Sequence, residues 1–331
     1  MQMNNLIAVD GNTEGILGKF MYYSLANILI DKVTFQQIGI DFGFSKVKPN
    51  RESASDAFRN ATSNIYQRIT VKDINNKMQI YRIYCRDNKR EEAGRICREL
   101  IKETLGASTN NYKKLANIYL DKETETVGYE NIDHDYDVDV YDLCRQAVDS
   151  FDLYRVCYTG SHVDTVIESL LSQMEATKIS VHGKLFFIPK KHIPLVDTLE
   201  DFISEINIHN KSGIISNRKR QYDNDIIANS MYVVDDEKQR TKMMQEFYAS
   251  YKKDIEFYQE RIQHFIDTGA TSDTVINRWI LKIDALQQKK STYENVLKQE
   301  LNDLNDEFSM LQLQSQELKY RTKSFHIDYA A

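Results

Sequence analysis

The longest regularity in this chain is a run of apolar residues spaced alternately four and three apart. Met244, Tyr248, Tyr251, Ile255, Tyr258, Ile262 and Phe265 form one such seam. Ile276, Trp279, Ile283, Leu286, Lys290, Tyr293 and Leu297 form a second, and Leu301, Leu304, Phe308, Leu311 and Leu318 extend it after one stutter. A 3.5-residue repeat keeps one stripe of a helix facing a partner. Gly269 can end the first helix, and Ser272 or Asp273 can begin the next. So short a connection makes the two helices antiparallel. Unbroken, the second would run about 50 residues, or ~75 Å at 1.5 Å per residue, so its excess must dock, pair with another chain or break.

The rest of the chain has a different texture. Residues 1–207 read as a mixed α+β body, 208–235 as a polar linker containing Arg218-Lys219-Arg220, 236–322 as an antiparallel helical hairpin or coiled coil, and 323–331 as a tail. Only 3 Pro and 12 Gly occur in 331 residues, which favours long uninterrupted elements over a loop-rich β-sandwich. Within the body, Glu14–Ile30 reads as a helix, Thr34 caps a short second helix, and a third begins near Ser53. Strands follow over Ile69–Ile74 and Met78–Cys85. Three helices and a two-stranded wing over 14–86 would make a winged-helix-like unit. Beyond it, Glu91–Leu105 reads as a helix, Leu115–Tyr129 as a strand pair, and Val140–Leu153, Ser161–Met174 and Ile193–Ile206 as helices. Lys178–Ile188 reads as a hairpin.

No window approaches 18 consecutive apolar residues, so no membrane span is expected. The first ten residues lack the basic and apolar regions of a signal peptide. Cys85, Cys97, Cys144 and Cys157 form no C-x-x-C pair and are expected to be reduced thiols in a cytoplasmic protein.

Charge is segregated. Residues 45–102 hold 14 Lys+Arg against 7 Asp+Glu, whereas residues 121–152 hold 2 against 11, in a chain of net charge -6. A local basic surface can meet an anion even when the whole chain is acidic. On the third helix Arg59, Asn60 and Asn64 would face outward, and Arg and Asn are the side chains that bond base edges in pairs. Lys46, Lys48, Arg51 and Arg68 flank that helix and suit phosphates. A second basic segment, Arg86 to Lys102, carries Glu91 and Glu99 at helical spacing from Arg95 and Lys102.

Asp133, Asp135, Asp137 and Asp139 alternate like calcium-loop ligands but lack the central glycine and the final glutamate, so no metal site is expected. The stretch could instead cover the basic segment. No Walker loop, G-x-S-x-G or H-E-x-x-H is present, and no cofactor is expected. The reading leans away from an enzyme. It points to a nucleic-acid-associated or scaffold protein, with a nucleic acid and a protein partner or second copy as binding partners. The alternatives are an enzyme whose site assembles from dispersed residues, and a structural coiled-coil adaptor.

Overall fold

The computed structural model describes residues 15–25, 28–44, 49, 53–72, 76, 78–88, 94–106, 111–179, 183–214, 227–269 and 272–328. It is a mixed α+β fold. In chain order the first half contains β1 (Ile16–Ser24), β2 (Leu29–Asp31), α1 (Lys32–Asp41), α2 (Ala54–Ser63), β3 (Tyr66–Lys72), β4 (Met78–Asp87), β5 (Arg95–Leu105), β6 (Tyr112–Asp121), β7 (Thr126–Glu130) and α3 (Val140–Val156). The second half contains β8 (Cys157–Thr159), α4 (Gly160–Gln173), β9 (Thr177–Lys178), β10 (Leu185–Pro189), α5 (Ile193–Ile208), β11 (Ile227–Val234), α6 (Glu237–Thr268), α7 (Asp273–Leu297) and α8 (Asn305–Asp328). No helix among the described residues is long and apolar enough to cross a membrane.

The chain divides into two compact units. One comprises Met1–Ser24, Ser169–Asp201 and Ala228–Ala331; the other comprises Leu25–Glu168 and Phe202–Ile227.

In the first unit, four strands order as β11-β1-β10-β9. β1 pairs antiparallel with β10, Gly18 opposite Pro189 and Phe20 opposite Phe187. A side chain at Gly18 would meet the Ile188 carbonyl oxygen at 2.0 Å, so this close approach requires glycine. Leu17, Phe187 and Val233 from the sheet share one apolar cluster with Phe247, Tyr251 and Tyr293 of the helices. Phe247 stacks on Tyr293 with ring centroids 4.0 Å apart, and Phe187 meets Tyr293 edge-on at 5.9 Å.

The helices differ from the expected pair. α6 stops at Gly269, which takes the left-handed conformation at φ 64°. α7 runs back antiparallel: Phe265 meets Trp279 near the turn, and Phe247 meets Tyr293 further along. α7 then ends at Leu297 because Lys298 adopts φ 55°. The Glu294 carboxylate accepts the Leu301 N–H at 2.9 Å and holds the chain in this bend. α8 returns alongside α6, with Tyr251 near Phe308 and Gln263 bonded to Gln314. The long second helix is thus two helices. Folding back buries Leu304, Phe308, Leu311 and Leu318, which a 75 Å helix would leave beyond the reach of α6.

The second unit is built on a five-stranded antiparallel meander, β3-β4-β5-β6-β7, with β2 and β8 forming a separate pair. Ala57, Phe58 and Ala61 of α2, and Leu143 and Ala147 of α3, share a core with Ile83, Leu100, Ile118 and Leu120 of the sheet. α2 starts where the sequence indicates: Ser53 and Asp56 cap each other's backbone N–H groups.

Two expected helices are strands. Glu14–Ile30 holds β1 and β2, and β1 lies in the first unit, so the three-helix winged arrangement does not form. Its dense apolar residues fit a helical face as readily as a buried strand, which shows little alternation. Glu91–Leu105 contains β5: Glu99 pairs across the ladder with Arg86 and Lys102 turns to Asp135 and Asp137, while Glu91 lies outside the described residues.

Candidate nucleic-acid interface

Strand alternation sends every second side chain of the meander away from α2 and α3. On β3 these are Tyr66, Arg68, Thr70 and Lys72, all exposed. Arg82, Tyr84 and Arg86 follow on β4, Arg95, Glu99 and Glu103 on β5, Tyr112, Lys114, Tyr119 and Asp121 on β6, and Glu130 on β7. The register sets Tyr66 beside Tyr84, Arg68 beside Arg82, Arg86 beside Glu99 and Arg95 beside Asp121.

Three guanidinium groups lie over tyrosine rings on this face. Arg82 is 4.6 Å from the Tyr84 centroid, Arg86 is 3.9 Å from Tyr112, and Arg95 is 4.3 Å from Tyr119. Carboxylates fix two of them. Arg82 donates from Nε and Nη2 to Glu103 Oε2 at 3.0 and 2.5 Å, and Arg86 donates to Glu99 Oε2 at 3.0 and 2.8 Å. These pairs have electrostatic consequences at the acids. Burial works against the charged form of Glu99, but Arg86 and Lys114 outweigh it and hold the carboxyl below its ordinary range. The bond from Arg82 does the same for Glu103. Arg95 is held less closely, 3.9 Å from both Asp121 and Glu130.

Six cations (Arg68, Lys72, Arg82, Arg86, Arg95 and Lys114) therefore face four carboxylates (Glu99, Glu103, Asp121 and Glu130). The surplus falls on β3: neither Arg68 nor Lys72 has an ion-pair partner among the described residues. A strand face with exposed Tyr66 and Tyr112, half-buried Tyr84 and Tyr119, planar cations and surplus positive charge among the described residues has the chemistry that can hold unstacked bases and their phosphates.

The other basic residues are occupied on the helix side. Arg98 enters the C-terminal end of α2, donating to the Arg59 carbonyl, the Thr62 hydroxyl and the Ser63 hydroxyl at 3.3, 2.7 and 2.9 Å. A cation is favourable at that helix end. Lys102 is buried and donates to Asp135 at 2.8 Å and to Asp137 at 2.6 Å. Burial disfavours its charge, but the two carboxylates outweigh that and raise its pKa. Lys113 pairs with Asp133 at 3.1 Å. The alternating aspartates thus cover part of the basic segment. Among the described residues no three His, Cys, Asp or Glu side chains converge as a metal ion needs.

The residues chosen from sequence divide. Lys46, Lys48 and Arg51 lie outside the described residues. Arg59 is exposed on α2, Asn60 is half-buried there, and Asn64 caps the helix and donates to the Tyr154 hydroxyl. Arg68 lies on the opposite face of the sheet from this helix. A surface reading bases through α2 and one using Arg68 are therefore different surfaces. Sequence reasoning passed over Arg82, Tyr84, Tyr112 and Tyr119. The signal for Arg82 and Tyr84 was the period-two alternation Arg82-x-Tyr84-x-Arg86 against Ile83-x-Cys85, whereas Tyr112 and Tyr119 share the face only through the register shift at Leu100/Ile101.

Over residues 16–324 the chain matches the model of a family of unknown function, DUF6744, and it belongs to that family. No curated protein and no solved structure matches it.

Proposed function

We propose that this chain is a non-enzymatic nucleic-acid-associated protein that binds single-stranded DNA or RNA on the open face of the five-stranded sheet. The observation that carries this reading is the charge of Arg68 and Lys72, which have no ion-pair partner among the described residues, on the same face as the three Arg–Tyr stacks. Phosphates neutralise the β3 cations, while unstacked bases lie on the tyrosines. A duplex keeps its bases stacked inside and cannot use such a platform.

Fluorescence anisotropy with a labelled oligonucleotide, single-stranded and annealed to its complement, tests this. The single strand is expected to bind more tightly. Equal binding, or a preference for the duplex, contradicts the platform.

The helices support the second half of the reading, a scaffold role through self-association. On α8, Met310, Leu313 and Tyr320 are 62, 64 and 74% exposed at helical spacing, opposite the buried Phe308, Leu311 and Leu318. Sedimentation equilibrium of the wild type and of Leu313→Asp tests it. A dimer dissociated by the substitution supports it, and a wild-type monomer at micromolar concentration contradicts it.

A further inference from the structure

Within the sheet face, one spot differs from the rest. Asn117 sits on β6 between Glu99 of β5 and Glu130 of β7. It is only 7% exposed, and its side-chain oxygen has no hydrogen-bond partner among the described residues. A buried amide oxygen left unbonded is costly and uncommon, and a ligand that donates to it recovers that cost. Two residues along the same strand and face, Tyr119 lies opposite Gly128 of β7. A Cβ at Gly128 would meet the Tyr119 ring end at 2.6 Å. The missing side chain lets the tyrosine lean across β7 instead of standing away from the sheet. The cation on this ring is Arg95, whose carboxylates are both 3.9 Å away, whereas Arg82 and Arg86 are bonded at 3.0 Å or less. Among the described residues Arg95 is thus the stacked guanidinium least fixed by ion pairing.

We propose that this is a seat for one unpaired base: the base displaces Arg95 and stacks on Tyr119 over Gly128, and its polar edge bonds the Asn117 amide. The inference rests on the single-strand reading above and says where on the face a base, rather than a phosphate, is held. Two residues of strand span roughly 6.6 Å, so Asn117 is the next position beside Tyr119 on this face. An amide can donate and accept together, so it suits a base edge better than a phosphate, which only accepts. Arg95, once displaced, is free to pair with the strand's phosphate.

The test compares two oligonucleotides of equal length and charge, one with ordinary bases and one abasic throughout, bound to wild type, Asn117→Leu and Gly128→Ala. Leu keeps the branching of Asn117 at Cγ, in a somewhat larger side chain, and removes its amide; Ala at 128 forces the Tyr119 ring off its position. Circular dichroism confirms that both variants fold. Wild type is expected to bind the base-bearing strand about tenfold more tightly than the abasic one. Either substitution should lower that preference measurably, by the share of one base among those on the platform, and leave abasic binding unchanged. The seat is overturned if both variants keep the full wild-type preference, or if abasic affinity falls in parallel. Failure of the underlying reading looks different: wild type then binds neither strand.

Discussion

Arg68 on β3 stands directly across the antiparallel ladder from Arg82 on β4, and of the two only Arg82 has a carboxylate partner among the described residues. Like charges directly opposite each other destabilise a sheet. A fold that placed a glutamate at 68 would gain a cross-strand pair and lose a cation on this face. Stability and binding therefore pull in opposite directions at this residue.

Arg68→Glu should accordingly raise the thermal midpoint slightly, by the ~0.2–1 kcal/mol of a cross-strand pair. The same substitution should weaken single-strand binding, since it reverses a charge on the platform. Calorimetry and anisotropy on the same preparation measure both effects. A lower midpoint with unchanged binding would place Arg68 in a structural role.

Lys102 and its two aspartates predict how stability depends on acid. Burial raises the Asp135 pKa, but Lys102 and the Asp137 N–H outweigh that, and the carboxyl titrates below its ordinary range. A depressed folded pKa contributes stability that is complete above the unfolded value and is lost as pH falls through the folded one. The contribution should be full at pH 7 and drain below about pH 4. Asp135→Asn should cost about 2 kcal/mol at pH 7, the loss of a charged hydrogen bond. Its urea midpoint should fall less than that of wild type between pH 5 and 3. Parallel curves would contradict the assignment.

The three-helix arrangement is checked by one substitution type at two depths. Ile255 is 1% exposed in the apolar cluster, whereas Leu281 on α7 is 68% exposed. Ile255→Asp should cost several kcal/mol, because it buries a carboxylate among apolar side chains. Leu281→Asp should stay within about 0.5 kcal/mol. Equal shifts in melting temperature would show that the helices pack on other faces.

Much of this architecture was legible in the sequence. The Ser53 cap, the β3–β4 hairpin and the extent of α6 follow from local chemistry: a reciprocal cap, two β-rich runs joined by a short turn, and a sustained helical period, although α6 buries Met243, Phe247 and Ile266 more deeply than the expected Met244, Tyr248 and Phe265. β1 and β5 were not legible. Ile16–Ser24 is buried on most of its length, and a strand without alternation resembles a helical face. In β5 the Arg and Glu spacing satisfies helix pairing as well as the cross-strand pairing it adopts. The site was legible only as charge. Residues 45–102 carry the excess, but which cations are consumed depends on register. Arg86 finds Glu99 across one ladder, and Lys102 finds Asp135, 33 residues on. Composition cannot show that Arg68 and Lys72 are left without an ion-pair partner among the described residues.

The most direct measurement is the salt dependence of single-strand binding for wild type and the double variant Arg68→Gln/Lys72→Gln. Each neutralised phosphate releases counterions, contributing about 0.7 to the slope of log affinity against log salt for a single strand. The variant is expected to bind more weakly at low salt, with a slope shallower by about 1.4. Wild-type affinity and slope retained in the double variant would contradict the assignment of the sheet face.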